Sequence, residues 1–141
     1  MIELTTSLVF LWGVFASDNG ASADLADAKN SVNQPITLES HVREHFEDTP
    51  ILAEIARCES TFRHLGKDGK VIRGLVDSRD VGVMQINEFY HLKTAKSLGI
   101  DIHTLDGNMA YAKYLYEKSG TKPWNASSKC WKANNSQIAK I

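Results

Sequence analysis

The chain has 141 residues, 43% hydrophobic and 23% charged, a balance that fits one globular domain and excludes a disordered, fibrous or two-core chain. Sixteen basic against seventeen acidic side chains give a net charge of −1, which excludes a general basic footprint for nucleic acid and confines any polyanion contact to a local patch. Five scattered histidines and two cysteines without a Cys-x-x-Cys pattern disfavour zinc and thiol-redox chemistry, so no metal or cofactor is expected.

Leu8 to Phe15 is an almost unbroken apolar run, followed by Ala21-Ser22-Ala23 in the small-x-small form that signal peptidases cut. The run is about half the roughly 20 residues that cross a bilayer as a helix. Residues 1–23 therefore read as an export signal, with an uncleaved anchor or a buried helix as alternatives. Glu3 stands where positive charge is usual. Residues 24–36 are polar and read as a linker, residues 37–133 as the domain, and residues 134–141 as a frayed tail. An exported (periplasmic, cell-wall or extracellular) protein with no integral membrane span is expected.

Within the domain, Leu38, Val42 and Phe46 recur every four residues as a short amphipathic helix. His41 and His45 lie one turn apart on it, among charged neighbours, and read as a solvated face. Thr49-Pro50 opens a second helix that the pattern carries to about Arg63, with Ile51, Ile55, Cys58 and Phe62 as its apolar face. Asp68-Gly69 followed by Val71, Ile72, Leu75 and Val76 predicts a small β-ribbon. Helical signals resume from Glu88 to Leu98, with Gly99 as C-cap. A last strong helix, capped by Asp106, buries Met109, Ala112, Leu115 and Tyr116 and stops at Gly120. Trp124 and Trp131 read as covers of the core. Cys58 and Cys130 are either two buried thiols or, in an exported protein, one bridge worth about 4 kcal/mol in the chain-entropy model.

Glu59 stands at the edge of the second helix's apolar stripe, not on its wet face. Desolvation there pushes a carboxyl toward its neutral form, which is how a glutamic acid stays available as a general acid near neutral pH. The plainer reading is a glutamate paired with Arg57 or Arg63. Gln85 is a lone amide in the apolar run Val81–Asn87 and needs hydrogen-bond partners, either a polar ligand or neighbouring core groups.

Cys58-Glu59-Ser60-Thr61-Phe62, then Gly82-Val83-Met84-Gln85-Ile86-Asn87, then Asn108-Met109-Ala110-Tyr111-Ala112-Lys113-Tyr114-Leu115 resembles the three-part signature of the soluble-type lytic transglycosylases, relatives of goose-type lysozymes. The resemblance covers about residues 50–132. It implies a mainly α (α+β), lysozyme-like domain with a small β-ribbon beside the catalytic cleft. It implies Glu59 as the single catalytic acid/base with Ser60 as a hydrogen-bonding partner. Gly82, Val83, Met84, Gln85 and Asn87 would line the groove, Gly82 by letting backbone approach the sugar, Gln85 and Asn87 by their amides. Tyr111 and Tyr114 are candidates for the wall near Glu59, and Met84, Ile86, Met109 and Leu115 also read as plain core. The chain departs from the family in carrying Ala112 and Leu115 where a Gly and a Tyr are common, and Pro123-Trp124-Asn125 in place of a Tyr-Asn motif.

The activity implied is non-hydrolytic cleavage of the MurNAc-GlcNAc β-1,4 bond by one glutamate, leaving 1,6-anhydro-muramoyl ends. The partner is the peptidoglycan glycan strand and the protein a monomer, with an envelope-spanning machine as one setting. The alternatives are a hydrolytic muramidase in which Asp77 or Asp80 positions water, and a non-catalytic glycan-binding or assembly module.

Overall fold

A computed structural model describes residues 36–138. The expected export signal and most of the linker fall outside the described residues. The domain is mainly helical, with one two-stranded antiparallel sheet.

Helix α1 (Leu38–His45) is capped by Thr37, whose side chain accepts from the Ser40 amide, and it buries Val42 and Phe46 completely. Pro50 opens α2 (Pro50–Ser60), where its missing N–H leaves no intrahelical bond unmade. The buried face of α2 is Leu52, Ala53, Ile55 and Ala56, with Ile51 and Cys58 only half-buried. The stripe is rotated from the expected one because α2 packs against both α1 and α5 (Ser128–Ile138). Glu54 is buried on this helix, and Arg43 at 2.9 Å and Arg57 at 3.2 Å satisfy its carboxylate.

Helix α2 stops three residues before the expected Arg63. Thr61 and Phe62 take left-handed backbone angles (φ 56° and 53°), and the Ser60 hydroxyl closes the end by donating to Ala56 O and accepting from the Arg63 amide. The ribbon also differs from expectation. Asp68-Gly69 does form a turn, with Gly66 N–H donating to Lys70 O at 2.8 Å. Val71 and Arg73, however, make single bridges to Leu65 and Val81, and Leu75 and Val76 stand fully exposed. The paired strands are β1 (Asp80–Val81) and β2 (Ile86–Asn87), with Asp80 opposite Asn87 and Val81 opposite Ile86.

Asn87 caps α3 (Glu88–Ser97), and Gly99 follows in the left-handed region at φ 71°. The cap of α4 (Leu105–Ser119) is Thr104, whose hydroxyl accepts from the Gly107 amide, while Asp106 sits in the first turn. Met109, Ala112 and Leu115 are buried as expected, joined by Asn108 and Tyr111. A 3₁₀ turn (Lys122–Ser127) leads into α5, which continues past Ala133 to Ile138. Trp124 and Trp131 are both buried, and Trp131 Nε1 donates to Trp124 O at 3.0 Å. Cys58 and Cys130 form a disulfide across 72 positions, fastening α5 to α2. Among the described residues no helix is long and apolar enough to cross a membrane.

One charged cluster ties the irregular segment to the helices. Glu88 accepts from Arg73 (2.7 Å) and pairs with His103 (2.6 Å), which also meets Asp101 at 3.0 Å. The hydrogen bond to Glu88 raises the His103 pKa, so its contribution is complete below the unfolded value near 6.5 and lost as pH rises through the folded one. The Arg73 bond, then His103, lowers the Glu88 pKa, so that contribution is present above about 4.5 and lost as pH falls. His103→Gln is therefore expected to cost most stability between about 4.5 and 6.5, and progressively less as pH rises through the folded His103 pKa. Thermal melts across pH would check this, and an equal cost at all pH values would refute it.

Candidate active site

Glu59 is the penultimate residue of α2 and lies half-buried on the wall of an open cleft of about 960 Å³. The cleft is also lined by the irregular segment, including Leu75 and Val76, and by Asp80 and Gln85 of the β1–β2 unit. Burial holds the Glu59 carboxyl above the ordinary glutamate range, a hydrogen bond from Ser127 opposes that rise, and the nearby charge of Asp80 adds to it. The Ser127 hydroxyl is 2.6 Å from Glu59 Oε1.

Of the candidate site residues singled out in the sequence, the cleft brings together Glu59, Asp80 and Gln85. Gln85 adopts φ 49° and its Nε2 donates to Gly82 O at 2.8 Å, which keeps the amide in the cleft wall. Ser60 is buried, and its hydroxyl serves the end of α2 rather than Glu59. Val83 and Met84 are wholly buried and belong to the core. Asn87 is a brace: its Oδ1 caps α3, while its Nδ2 donates to Asp80 Oδ1 at 2.7 Å and Asp77 Oδ2 at 3.2 Å. Tyr111 is buried against His91 of α3, with its hydroxyl 3.3 Å from His91 Nδ1, and Tyr114 packs on it at 5.4 Å between centroids. Neither tyrosine lines the cleft.

The turn that presents Gln85 is held from behind. Asn108, wholly buried on α4, accepts from the Met84 amide at 2.8 Å and donates to Val81 O and Ile102 O at 3.0 and 2.7 Å. His64 Nε2–H donates to His103 O, which leaves Nδ1 to accept from the Val83 amide at 3.2 Å. Trp124 Nε1 donates to Met84 O. Gly82, at φ 74°, turns its missing side chain toward these groups and not toward the cleft: a Cβ would come within 2.6 Å of Asn108 Nδ2 and 2.9 Å of His64 Cε1. Gly82→Ala combines left-handed backbone with this overlap and is expected to cost about 3 kcal/mol. Urea unfolding measures it, and a loss below about 1 kcal/mol would show that the turn yields.

The two candidate water-positioning carboxylates differ sharply. Asp77 is clamped by Arg79, through Nε and Nη2 at 2.8 Å each, lies far below the usual carboxylate range, and does not itself line the cleft. Asp80 lines the cleft with Glu59. Among the described residues no group of three His, Cys, Asp or Glu is placed to hold a metal ion. No family model, curated protein or solved structure matches this chain.

Ser127 is the site residue that the sequence reading missed. In sequence it appears only as the third residue of an Asn125-Ala126-Ser127 glycosylation pattern. The signal that locates it is its spacing: it lies three residues, about one helical turn, before Cys130, which is bridged to the neighbour of Glu59.

Proposed function

We propose that this protein is a peptidoglycan lytic transglycosylase of lysozyme-like fold that cleaves the MurNAc-GlcNAc β-1,4 bond with Glu59 as single acid/base. The observation that carries the proposal is a carboxyl kept toward its neutral form by burial, at a helix end, in an open cleft shared with a positioned amide. An acid with a raised pKa is what protonation of a leaving glycosidic oxygen requires near neutral pH.

Glu59 gives its proton to the bridging oxygen as the C1–O bond breaks. The resulting carboxylate takes the proton of the muramoyl C6 hydroxyl, whose oxygen closes onto C1 and leaves a 1,6-anhydro end. An internal nucleophile already held near C1 has a large proximity advantage over water, so no second carboxylate is needed to position one. Gln85, in the lining of the same cleft, offers amide contacts to the sugar. A disulfide is at home in an oxidising compartment, which fits an exported protein acting on the cell wall.

The second reading is a hydrolytic muramidase, favoured by one observation: Asp80 lines the same cleft, its carboxylate steadied by Asn87. Mass spectrometry of muropeptides released by the purified protein separates the two. Products lacking one water and without a reducing end are expected. Reducing-end products would replace this reading with hydrolysis by Glu59 and Asp80, and no products from folded, bridged protein would remove the enzymatic reading.

A further inference from the structure

The Ser127 hydroxyl lies 2.6 Å from Glu59 Oε1 and 3.1 Å from Trp124 O. A hydroxyl carries one hydrogen and two lone pairs, so it cannot donate fully to both oxygens at once. With Glu59 ionised, the hydrogen points at Oε1 in a charge-assisted bond. With Glu59 protonated, its O–H donates to Ser127 Oγ, and the serine hydrogen turns to Trp124 O. Each state finds a satisfied partner without movement of a heavy atom.

The surroundings hold that geometry. Trp124 is buried, anchored through Nε1 to Met84 O, and its carbonyl also accepts from Trp131 Nε1. The disulfide joins the residue before Glu59 to the residue three after Ser127, so both segments are fastened beside the contact.

We propose that Ser127 is a positioning residue for Glu59, a two-way hydrogen-bond partner that keeps the carboxyl in one orientation in both its protonated and ionised states, with the Cys58–Cys130 bridge holding the two segments together. The proposal rests on the reading of Glu59 as acid/base and deepens it. A group that gives up a proton and regains one within a turnover needs a partner that serves both states. Ser127 acts through Glu59 and does not need to touch the sugar.

The Ser127 hydroxyl bonds Glu59 and Trp124 O and none of the other charged side chains around the cleft. Asp80 faces Glu59 from β1, and Arg63, Asp68, Lys70 and Arg73 line the same cleft, Arg63 bonded to Ser60 O and Arg73 to Glu88. A shift on removing the hydroxyl therefore reads the hydroxyl itself.

The test is a carboxyl-carbon NMR titration of Glu59 in the full chain, assigned with Glu59→Gln. Ser127→Ala is expected to move the titration midpoint upward, because the ionised form loses its donor, and Ser127→Thr to keep the wild-type midpoint. Reducing the bridge in the unaltered chain should shift it the same way as Ser127→Ala, and no shift there overturns the role given to the bridge. An unmoved midpoint in folded Ser127→Ala overturns the role given to Ser127. Should that variant not fold, Ser127→Gly removes the hydroxyl without added bulk and carries the same two outcomes. The titration needs no turnover, so a chain that cuts no glycan defeats the proposed function while the role of Ser127 is still decided. In an active enzyme, Ser127→Ala should lower kcat about tenfold at unchanged KM and move the alkaline limb of the pH profile upward. A loss with that limb unmoved would reduce Ser127 to a structural residue.

Discussion

Glu59→Gln is expected to reduce glycan cleavage by about 10²- to 10⁴-fold, the usual contribution of a positioned general acid, while leaving the protein at least as stable at neutral pH. Burial, with the charge of Asp80 added, raises the Glu59 pKa in the folded state above its ordinary value of 4.5. A carboxyl shifted in that direction contributes stability below its unfolded pKa and loses it as pH rises through the folded one. Glutamine does not ionise, keeps the shape of the side chain and can still bond Ser127. Melts of the variant and the wild type should therefore coincide in acid, and the variant should melt higher near pH 7. Activity that depends on a group whose charged form is disfavoured by the fold is the familiar opposition of stability and function. A variant that cuts at the wild-type rate, or one that melts lower at neutral pH and higher in acid, would remove Glu59 from the role given to it.

The first four helices were legible because their determinants are local, whereas α5, over Ser128–Ile138, was not read as a helix. Val42 and Phe46 fall at helical spacing, Pro50 sits where its missing N–H is harmless, and Gly99 and Gly120 take positive φ just past helix ends. The start of α4 was misplaced by two residues because Thr104 and Asp106 are both competent caps, and only the hydrogen bond to Gly107 N distinguishes them. The ribbon was legible only as a turn. Strands two residues long carry no alternation to read, and what fixes them is their pairing with each other and the bond from Asn108 to Val81 O, with His64 holding the turn between them at Val83. Glu59 and Gln85 stood out because each is a polar group at an apolar position. Ser60 and Ser127 could not be told apart by that criterion. The left-handed turn at Thr61 follows directly on Ser60, whose hydroxyl closes the end of α2, and the disulfide brings the distant serine to the carboxyl.

Asn108→Ala should be strongly destabilising, at about 5 kcal/mol, because one buried amide satisfies three backbone groups and each one left without a partner costs about 1–3 kcal/mol. The three belong to different parts of the fold: Val81 ends β1, Met84 lies in the turn that presents Gln85, and Ile102 lies between α3 and α4. Alanine removes all three bonds and leaves space against Gly82, whose absent Cβ is what lets the amide approach. For a domain of about 100 residues such a loss corresponds to a fall in Tm of roughly 20 °C or more. Asn108→Asp tests the same point from the other side. It keeps the acceptor for Met84, loses both donated bonds and buries a charge, so it should be no better than alanine. Urea unfolding with an unchanged slope would attribute the loss to the native state and not to a more compact unfolded chain. A loss under about 1 kcal/mol for Asn108→Ala would mean that the turn finds other partners. The wall that carries Gln85 would then be held by His64 and Trp124 instead.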